Sequence, residues 1–142
     1  VDLADIAEHH TCLEPSAGMG GLADLMMEKS AWTHCIEISP LHCKVLEGHG
    51  HSVTQSDFLA WTGQPVDCIV MNPPFSDGRW QAHTERAAEL VKPGGRLVAI
   101  LPASAKGKSF NGLDCQWHGP YDNEFAGTSI SVVILQGTRS AA

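Results

Sequence analysis

Short apolar runs alternate along the chain with stretches in which apolar residues recur at helical spacing. The runs at 11–14, 32–38, 52–55, 66–71, 96–101 and 128–135 predict strands, and the stretches at 1–8, 22–29, 40–48 and 80–91 predict helices. Residues 103–123 are rich in Gly, Ser and Asn, which predicts a loop with at most one helical turn. Strands that alternate with helices are typical of an α/β sheet with crossover helices.

The run Cys68-Ile69-Val70-Met71 shows no alternation of apolar and polar positions. Such a strand suits the middle of a parallel sheet, because helices cover both faces there. A chain of 142 residues is long enough for one domain with a sizeable core and too short for two, so we predict a single domain over 1–142. Since Val1 already lies in a predicted helix, we expect a trimmed N-terminus.

Composition narrows the setting of the protein. No apolar run approaches the roughly 20 residues that span a membrane, and the N-terminus lacks a signal-peptide pattern. The five cysteines form no C-x-x-C pair, which predicts buried thiols and a reducing, cytoplasmic location. The histidines, which include His49 and His51, show neither an H-E-x-x-H pattern nor a Cys/His zinc spacing, so we predict no metal site.

The formal net charge of −7, with nine basic residues, argues against tight unaided binding to a nucleic-acid duplex. Arg79, Lys106 and Lys108 follow Pro74 and Pro102, and they predict a small local positive patch.

A glycine turn follows the first predicted strand and opens a helix. Gly18, Gly20 and Ala23 satisfy the G-x-G-x-x-A pattern, which is compatible with a plain turn or with a nucleotide-binding turn. Glu37 ends the second strand, where a carboxylate can bind both ribose hydroxyls, and Asp57-Phe58 follows the third. Acidic residues at three strand ends favour a cationic, adenosine-bearing ligand over a phosphate.

The fourth strand ends in Asn72-Pro73-Pro74-Phe75. Two prolines cannot continue a sheet, and they fix the backbone just beyond the carboxyl end of the strand, where open α/β sheets bind ligands. An Asn amide oxygen and a backbone carbonyl can accept two hydrogen bonds from one planar amino group. Phe75 can stack on the flat ring that carries this amino group. A proline-rich loop with a buried phenylalanine is the alternative.

Together these residues resemble the class I S-adenosylmethionine-dependent methyltransferases, specifically the N6-adenine type of the amino-methyltransferase group. The resemblance covers nearly the whole chain, and 72–75 is its most specific part. Residues 92–97 resemble the turn into the fifth strand of this superfamily, and 125–132 resemble its closing motif. The resemblance implies a Rossmann-like, mostly parallel twisted sheet of about seven strands, the last antiparallel, flanked by helices.

The resemblance also implies a cofactor, a site and a reaction. S-adenosyl-L-methionine would be bound by Glu14, Pro15, Ser16, Ala17, Gly18, Gly20, Glu37, Ile38, Asp57, Phe58 and Asn72, and the catalytic residues would be Asn72, Pro73, Pro74 and Phe75. The implied reaction is direct transfer of the methyl group to an exocyclic amino nitrogen, N6 of adenine, with DNA preferred over RNA.

Two departures from the family bear on the acceptor. The upstream segment that contributes a Phe or Pro-Thr-Pro contact to the cofactor is absent, and residues 102–125 leave no room for a target-recognition domain. A partner subunit or a homodimer would then supply recognition. RNA adenine, protein glutamine (whose methyltransferases more often carry Tyr at the position of Phe75) and a non-catalytic cofactor-binding subunit remain alternatives.

Overall fold

The computed structural model describes residues 1–125 and 128–140. The strands are β1 (Cys12–Glu14), β2 (Thr33–Glu37), β3 (Ser52–Gln55), β4 (Val66–Met71), β5 (Val91–Pro102), β6 (Leu113–Phe125) and β7 (Thr128–Arg139). The α-helices are α1 (Gly21–Lys29), α2 (Pro40–Gly48) and α3 (Arg79–Leu90), and 3-10 turns cover Asp2–Ala4, Phe58–Ala60, Ser76–Gly78 and Ala103–Ala105. None of the helices in the described ranges combines the length and apolarity needed to cross a bilayer.

The seven strands form one sheet in the order β3-β2-β1-β4-β5-β7-β6. The pairs from β3 to β5 are parallel, and β7 is antiparallel to both β5 and β6. The Rossmann-like, mostly parallel sheet with an antiparallel last strand is therefore confirmed. The order reverses between β1 and β4, so a crevice forms at their carboxyl ends, as open α/β sheets require.

Helices cover both faces of this sheet. The larger core cluster joins Leu13, Ile69, Met71 and Leu97 of the central strands to Trp80 and Ala87 of α3. On the opposite face, Cys12, Cys68 and Val70 pack with Met26 of α1, and a neighbouring cluster joins Ala23 of α1 to Leu46 of α2. Residues 68–71 of β4 thus alternate between the two clusters and are all buried, which explains the continuous apolar run of that strand.

The prediction of a loop over 103–123 was wrong for most of its length. A 3-10 turn at Ala103–Ala105 leads to a loop, and β6 then begins at Leu113 and pairs with β7. Leu113, Cys115 and Trp117 alternate toward the core, with polar residues between them. Because β6 is an edge strand, it tolerates Pro120 and polar residues that a central strand would exclude.

The predicted helix over 1–8 was also too long. Its ordered part is the 3-10 turn Asp2–Ala4, which ends because Asp5 adopts the left-handed conformation with φ of 49°. The strand predicted at 96–101 is longer in the structure, since β5 begins directly after α3 at Val91. The remaining predicted helices and strands begin and end within one or two residues of the observed ones, apart from β7, which continues to Arg139.

Candidate functional site

A cavity of about 400 Å³ opens at the carboxyl ends of β1, β2 and β4. This volume lies within the usual range of small-molecule sites. The residues that line it come from the turns after these strands, from the turn after β3 and from α3: Pro15, Ser16, Gly18, Glu37, Ile38, His42, Ser56, Asp57, Phe58, Leu59, Asn72, Pro74, Arg79 and His83. Nine of the predicted site residues are therefore brought together around one space.

The glycine turn forms the wall beyond β1. Gly18 and Gly20 both have positive φ angles, of 55° and 104°, which L side chains rarely adopt. The Ala17 amide donates to the Ile36 carbonyl at 3.1 Å, which ties the turn to β2. Gly18 and Ser16 border the cavity, whereas Ala17 and Gly20 are buried behind it.

Glu37 fixes the turn and faces the cavity at the same time. Its side chain is largely buried, and its two oxygens accept hydrogen bonds from the Gly18 amide at 2.7 Å and the Ser39 amide at 2.8 Å. His42 Nδ1 lies 3.8 Å from the second oxygen. A carboxylate oxygen can accept more than one hydrogen bond, so Glu37 keeps capacity for a ligand's hydroxyl groups.

Glu14 lies beneath the cavity instead of lining it. The residue is 1% exposed, and its carboxyl accepts a hydrogen bond from the Ser16 amide at 2.6 Å and another from the Asn72 backbone. Burial, together with the charge of Glu37, raises the pKa of Glu14 to about 8, although both hydrogen bonds oppose the rise. Glu14 therefore links the glycine turn to the segment after β4.

The segment 72–75 extends the site beyond β4. The Asn72 side chain is exposed and lines the cavity together with Pro74. Pro73 is buried, and Phe75 is half-buried against the larger core cluster, outside the cavity lining. The sheet edge thus presents the Asn72 amide to the same space as Glu37, while the prolines fix its backbone.

The turn after β3 contributes an acidic and an aromatic residue. Asp57 is exposed and accepts a hydrogen bond from the Leu59 amide at 3.0 Å, which caps the 3-10 turn. Phe58 is buried, and its ring centre lies 5.7 Å from that of His83. Both residues line the cavity.

Five lining residues are not among the predicted site residues, although Arg79 was assigned to a positive patch: His42, Ser56, Leu59, Arg79 and His83. Arg79 and His83 had a usable signal, because their i, i+4 spacing in the helix after 72–75 places both on one face. His83 is buried, and its Nδ1 has no hydrogen-bond partner among the described residues. Burial lowers the pKa of His83. The negative charge of Asp57 raises this pKa, and the positive charge of Arg79 lowers it.

Part of the predicted closing motif, at residues 126–127, lies outside the described residues. Within the ranges 1–125 and 128–140, no three His, Cys, Asp or Glu side chains of the cavity lining bring their ligand atoms within 4.8 Å of one another. The polar side chains of the described site are therefore two carboxylates, one amide, two imidazoles, two hydroxyls and the guanidinium of Arg79.

Comparisons with known proteins agree with this architecture. No protein-family model matches the sequence. Over 66 residues, 43% of this chain, the sequence is 36% identical to ribosomal RNA small subunit methyltransferase A of Syntrophus aciditrophicus (strain SB). The chain spans about a quarter (24%) of the length of that curated relative.

Solved structures with the same fold cover nearly the whole chain. A putative RNA methyltransferase from Pyrococcus horikoshii matches with a TM-score of 0.77 and 19% identity, over 98% of this chain and 78% of its own. Magnesium protoporphyrin IX methyltransferase from Synechocystis PCC 6803, with bound SAM, matches with a TM-score of 0.68 and 15% identity, over 92% and 70%. This chain has the fold of the class I S-adenosylmethionine-dependent methyltransferases.

Proposed function

We propose that this chain is an S-adenosyl-L-methionine-dependent methyltransferase whose acceptor is an exocyclic amino group, N6 of adenine, in RNA. The observation that carries the proposal is the placement of Asn72 and Glu37 around one cavity at the point where the strand order reverses. The RNA acceptor is supported by the relatives named above, two of which are named for RNA methylation. These names do not support the DNA acceptor that the sequence analysis preferred.

The residues present fit the proposed cofactor. Glu37 offers carboxylate oxygens to a ribose, and Asp57 adds a second negative charge suited to a ligand with a positive sulfonium. Phe58, Leu59 and Ile38 supply apolar surface for a purine ring. When bound, S-adenosylmethionine supplies a methyl carbon that its sulfonium makes electrophilic.

The chain's own residues position the acceptor. The Asn72 side-chain oxygen and the Pro73 carbonyl would accept the two N–H groups of the amine, so that its nitrogen lone pair points into the cavity. These acceptors stabilise the positive charge that develops on nitrogen as the N–C bond forms, the C–S bond breaks and a proton is then released to water. Phe75 would stack on the base once it has been displaced from its neighbours.

Arg79 at the cavity, with Lys106 and Lys108 in the segment after β5, offers positive charge to a nucleic-acid backbone. Arg79 lines the cavity, and the Lys108 ammonium lies 5.8 Å from the centre of the adjacent Trp80 ring. Lys106 donates to the Gly119 carbonyl at 3.3 Å and remains exposed. Because the chain has few basic residues, its binding to nucleic acid would be weak without a partner subunit. A structured or single-stranded RNA is bound through fewer phosphate contacts than a long duplex.

The test is transfer of radiolabelled methyl groups to separate RNA, DNA and protein pools, followed by identification of the modified nucleoside. We expect N6-methyladenosine in the RNA pool, and a 100- to 1,000-fold lower kcat in Asn72→Ala, roughly the loss seen when one transition-state hydrogen bond is removed. Gln64→Ala is the matched control, because it removes an exposed amide near the opposite end of β4. Methylation confined to DNA or protein would refute the acceptor, and full activity in Asn72→Ala would refute the mechanism.

A further inference from the structure

Three potential metal ligands meet beside the glycine turn, and none of them lines the cavity. Asp24 lies in the first turn of α1, and His49 and His51 lie in the segment that joins α2 to β3. Asp24 Oδ1 is 2.6 Å from His51 Nε2, and Asp24 Oδ2 is 3.2 Å from His49 Nδ1. One ligand atom from each residue lies within 4.8 Å of the other two.

The sequence alone does not reveal this group of ligands, because Asp24 and His49 are 25 positions apart in the chain. Packing of α1 and α2 on the same face of the sheet, through Ala23 and Leu46, brings the two segments together. The arrangement is also close to the turn: a side-chain carbon at Gly20 would lie 3.3 Å from Asp24 Oδ1 and 3.4 Å from His49 Nδ1. A side chain at position 20 would therefore crowd Leu46 and these two ligand atoms.

The three side chains differ in exposure in a way that suits ion entry. The His51 side chain is fully buried, and Asp24 is the one hydrogen-bond partner of its ring among the described residues. The side chains of Asp24 and His49 are 46% and 44% exposed. A rigid buried ligand therefore stands beside two accessible ligands that can adjust to an ion arriving from solvent.

The donor set selects a class of ion. Two imidazole nitrogens and one carboxylate oxygen suit Zn²⁺ and its first-row neighbours, whereas Mg²⁺ and Ca²⁺ prefer oxygen ligands. The cysteines in the described chain do not join this group of ligand atoms.

We propose that Asp24, His49 and His51 bind one divalent transition-metal ion, Zn²⁺ in the first instance, with water completing its coordination. The ion would tie the start of α1, directly after the glycine turn, to the segment that leads into β3. Its role is structural, because none of the three residues lines the cavity. The proposal does not depend on methyl transfer.

The test is a titration of the full chain with Zn²⁺, followed by calorimetry and by the melting temperature. We expect one equivalent to bind, Mg²⁺ to give no signal at the same concentration, and Tm to rise by about 5 to 10 °C at a hundredfold excess over Kd. His49→Ala should weaken binding by about 100-fold or more, because even the loss of a ligand's supporting partner costs 10- to 100-fold. Because the His49 side chain is partly exposed, we expect this variant to fold as the wild type does. His9→Ala, at another exposed histidine, is the control and should bind as the wild type does.

Co²⁺ provides an independent readout of the donor atoms. We expect visible d–d absorption without the intense near-ultraviolet band that thiolate ligands produce. Absence of Zn²⁺ binding, equal binding by His49→Ala and the wild type, or a thiolate band with Co²⁺ would each overturn the proposal.

Discussion

Replacing Glu14 by Gln should change how the stability of the protein depends on pH. The Glu14 carboxyl is buried beneath the glycine turn, and its pKa is raised from 4.5 to about 8, first by burial and then by the charge of Glu37. The folded state therefore holds a proton that the unfolded state releases between these values, so stability falls as pH rises through this window. Gln is nearly isosteric with the protonated acid and does not ionise.

The magnitude follows from the two pKa values. Within the window, each pH unit changes the free energy of unfolding by about 1.4 kcal/mol for one such group. Between pH 5.5 and pH 7.5 the wild type should therefore lose about 2 to 3 kcal/mol relative to Glu14→Gln. The amide keeps an oxygen that can accept from Ser16 or from the Asn72 backbone, so the variant should fold.

Urea unfolding at several pH values between 5.5 and 8.5 measures this difference directly. All other groups titrate in both proteins, so the difference between the two stability curves isolates Glu14. Glu28→Gln, on the exposed surface of α1, is the matched control and should follow the wild type at every pH. Parallel curves for the wild type and Glu14→Gln would show that Glu14 is not held protonated, and the account of its burial would then be wrong.

Two further substitutions test the site and the sheet. Glu37→Gln should raise the Kd for S-adenosylmethionine about 10- to 100-fold in calorimetry, because hydrogen bonds to a charged group contribute about 1.5–3 kcal/mol; an unchanged Kd would remove Glu37 from the cofactor site. Gly95→Ala should lower the free energy of unfolding by about 1–3 kcal/mol, since its Cβ would lie 2.5 Å from the carbonyl oxygen of Asp67. Gly21→Ala, whose Cβ meets nothing within 4 Å, should lose no stability in the same urea titration.

Much of the fold could be predicted because its signals are local. The continuous apolar run of β4 marks a strand buried on both faces, and Ser39 followed by Pro40 marks the start of α2, where the Ser39 side chain accepts from the His42 amide. β6 was missed because an edge strand needs only one apolar face. The alternation of Leu113, Cys115 and Trp117 was present, but polar residues and Pro120 concealed it.

The site residues also divide into those that local sequence signals predict and those whose positions depend on packing. Glu37, Asp57 and Asn72 could be placed at one sheet edge because each lies at, or within two residues of, the carboxyl end of a parallel strand. The burial of Glu14 beneath that edge could not be predicted, because it depends on how the turn folds over the strand end. The position of His83 in the cavity wall depends on how α3 packs on the sheet. The contact between Asp24 and His51, which are 27 positions apart in the sequence, depends on how α1 and α2 pack side by side.

The charge around the cavity is the firmest reason to place a cation there. Glu37 forms no ion pair with a lysine or arginine in the described chain, and Asp57 adds a second carboxylate to a lining whose one lysine or arginine is Arg79. Glu14 lies beneath them, and its raised pKa of about 8 keeps it protonated at neutral pH. A diphosphate ligand would add negative charge to this group, whereas a sulfonium or ammonium would relieve its repulsion and favour the ionised form of Glu14. The glycine turn is shared by both kinds of nucleotide site, so it cannot decide between them. The excess of carboxyl groups over the single arginine of the lining favours S-adenosylmethionine over a dinucleotide.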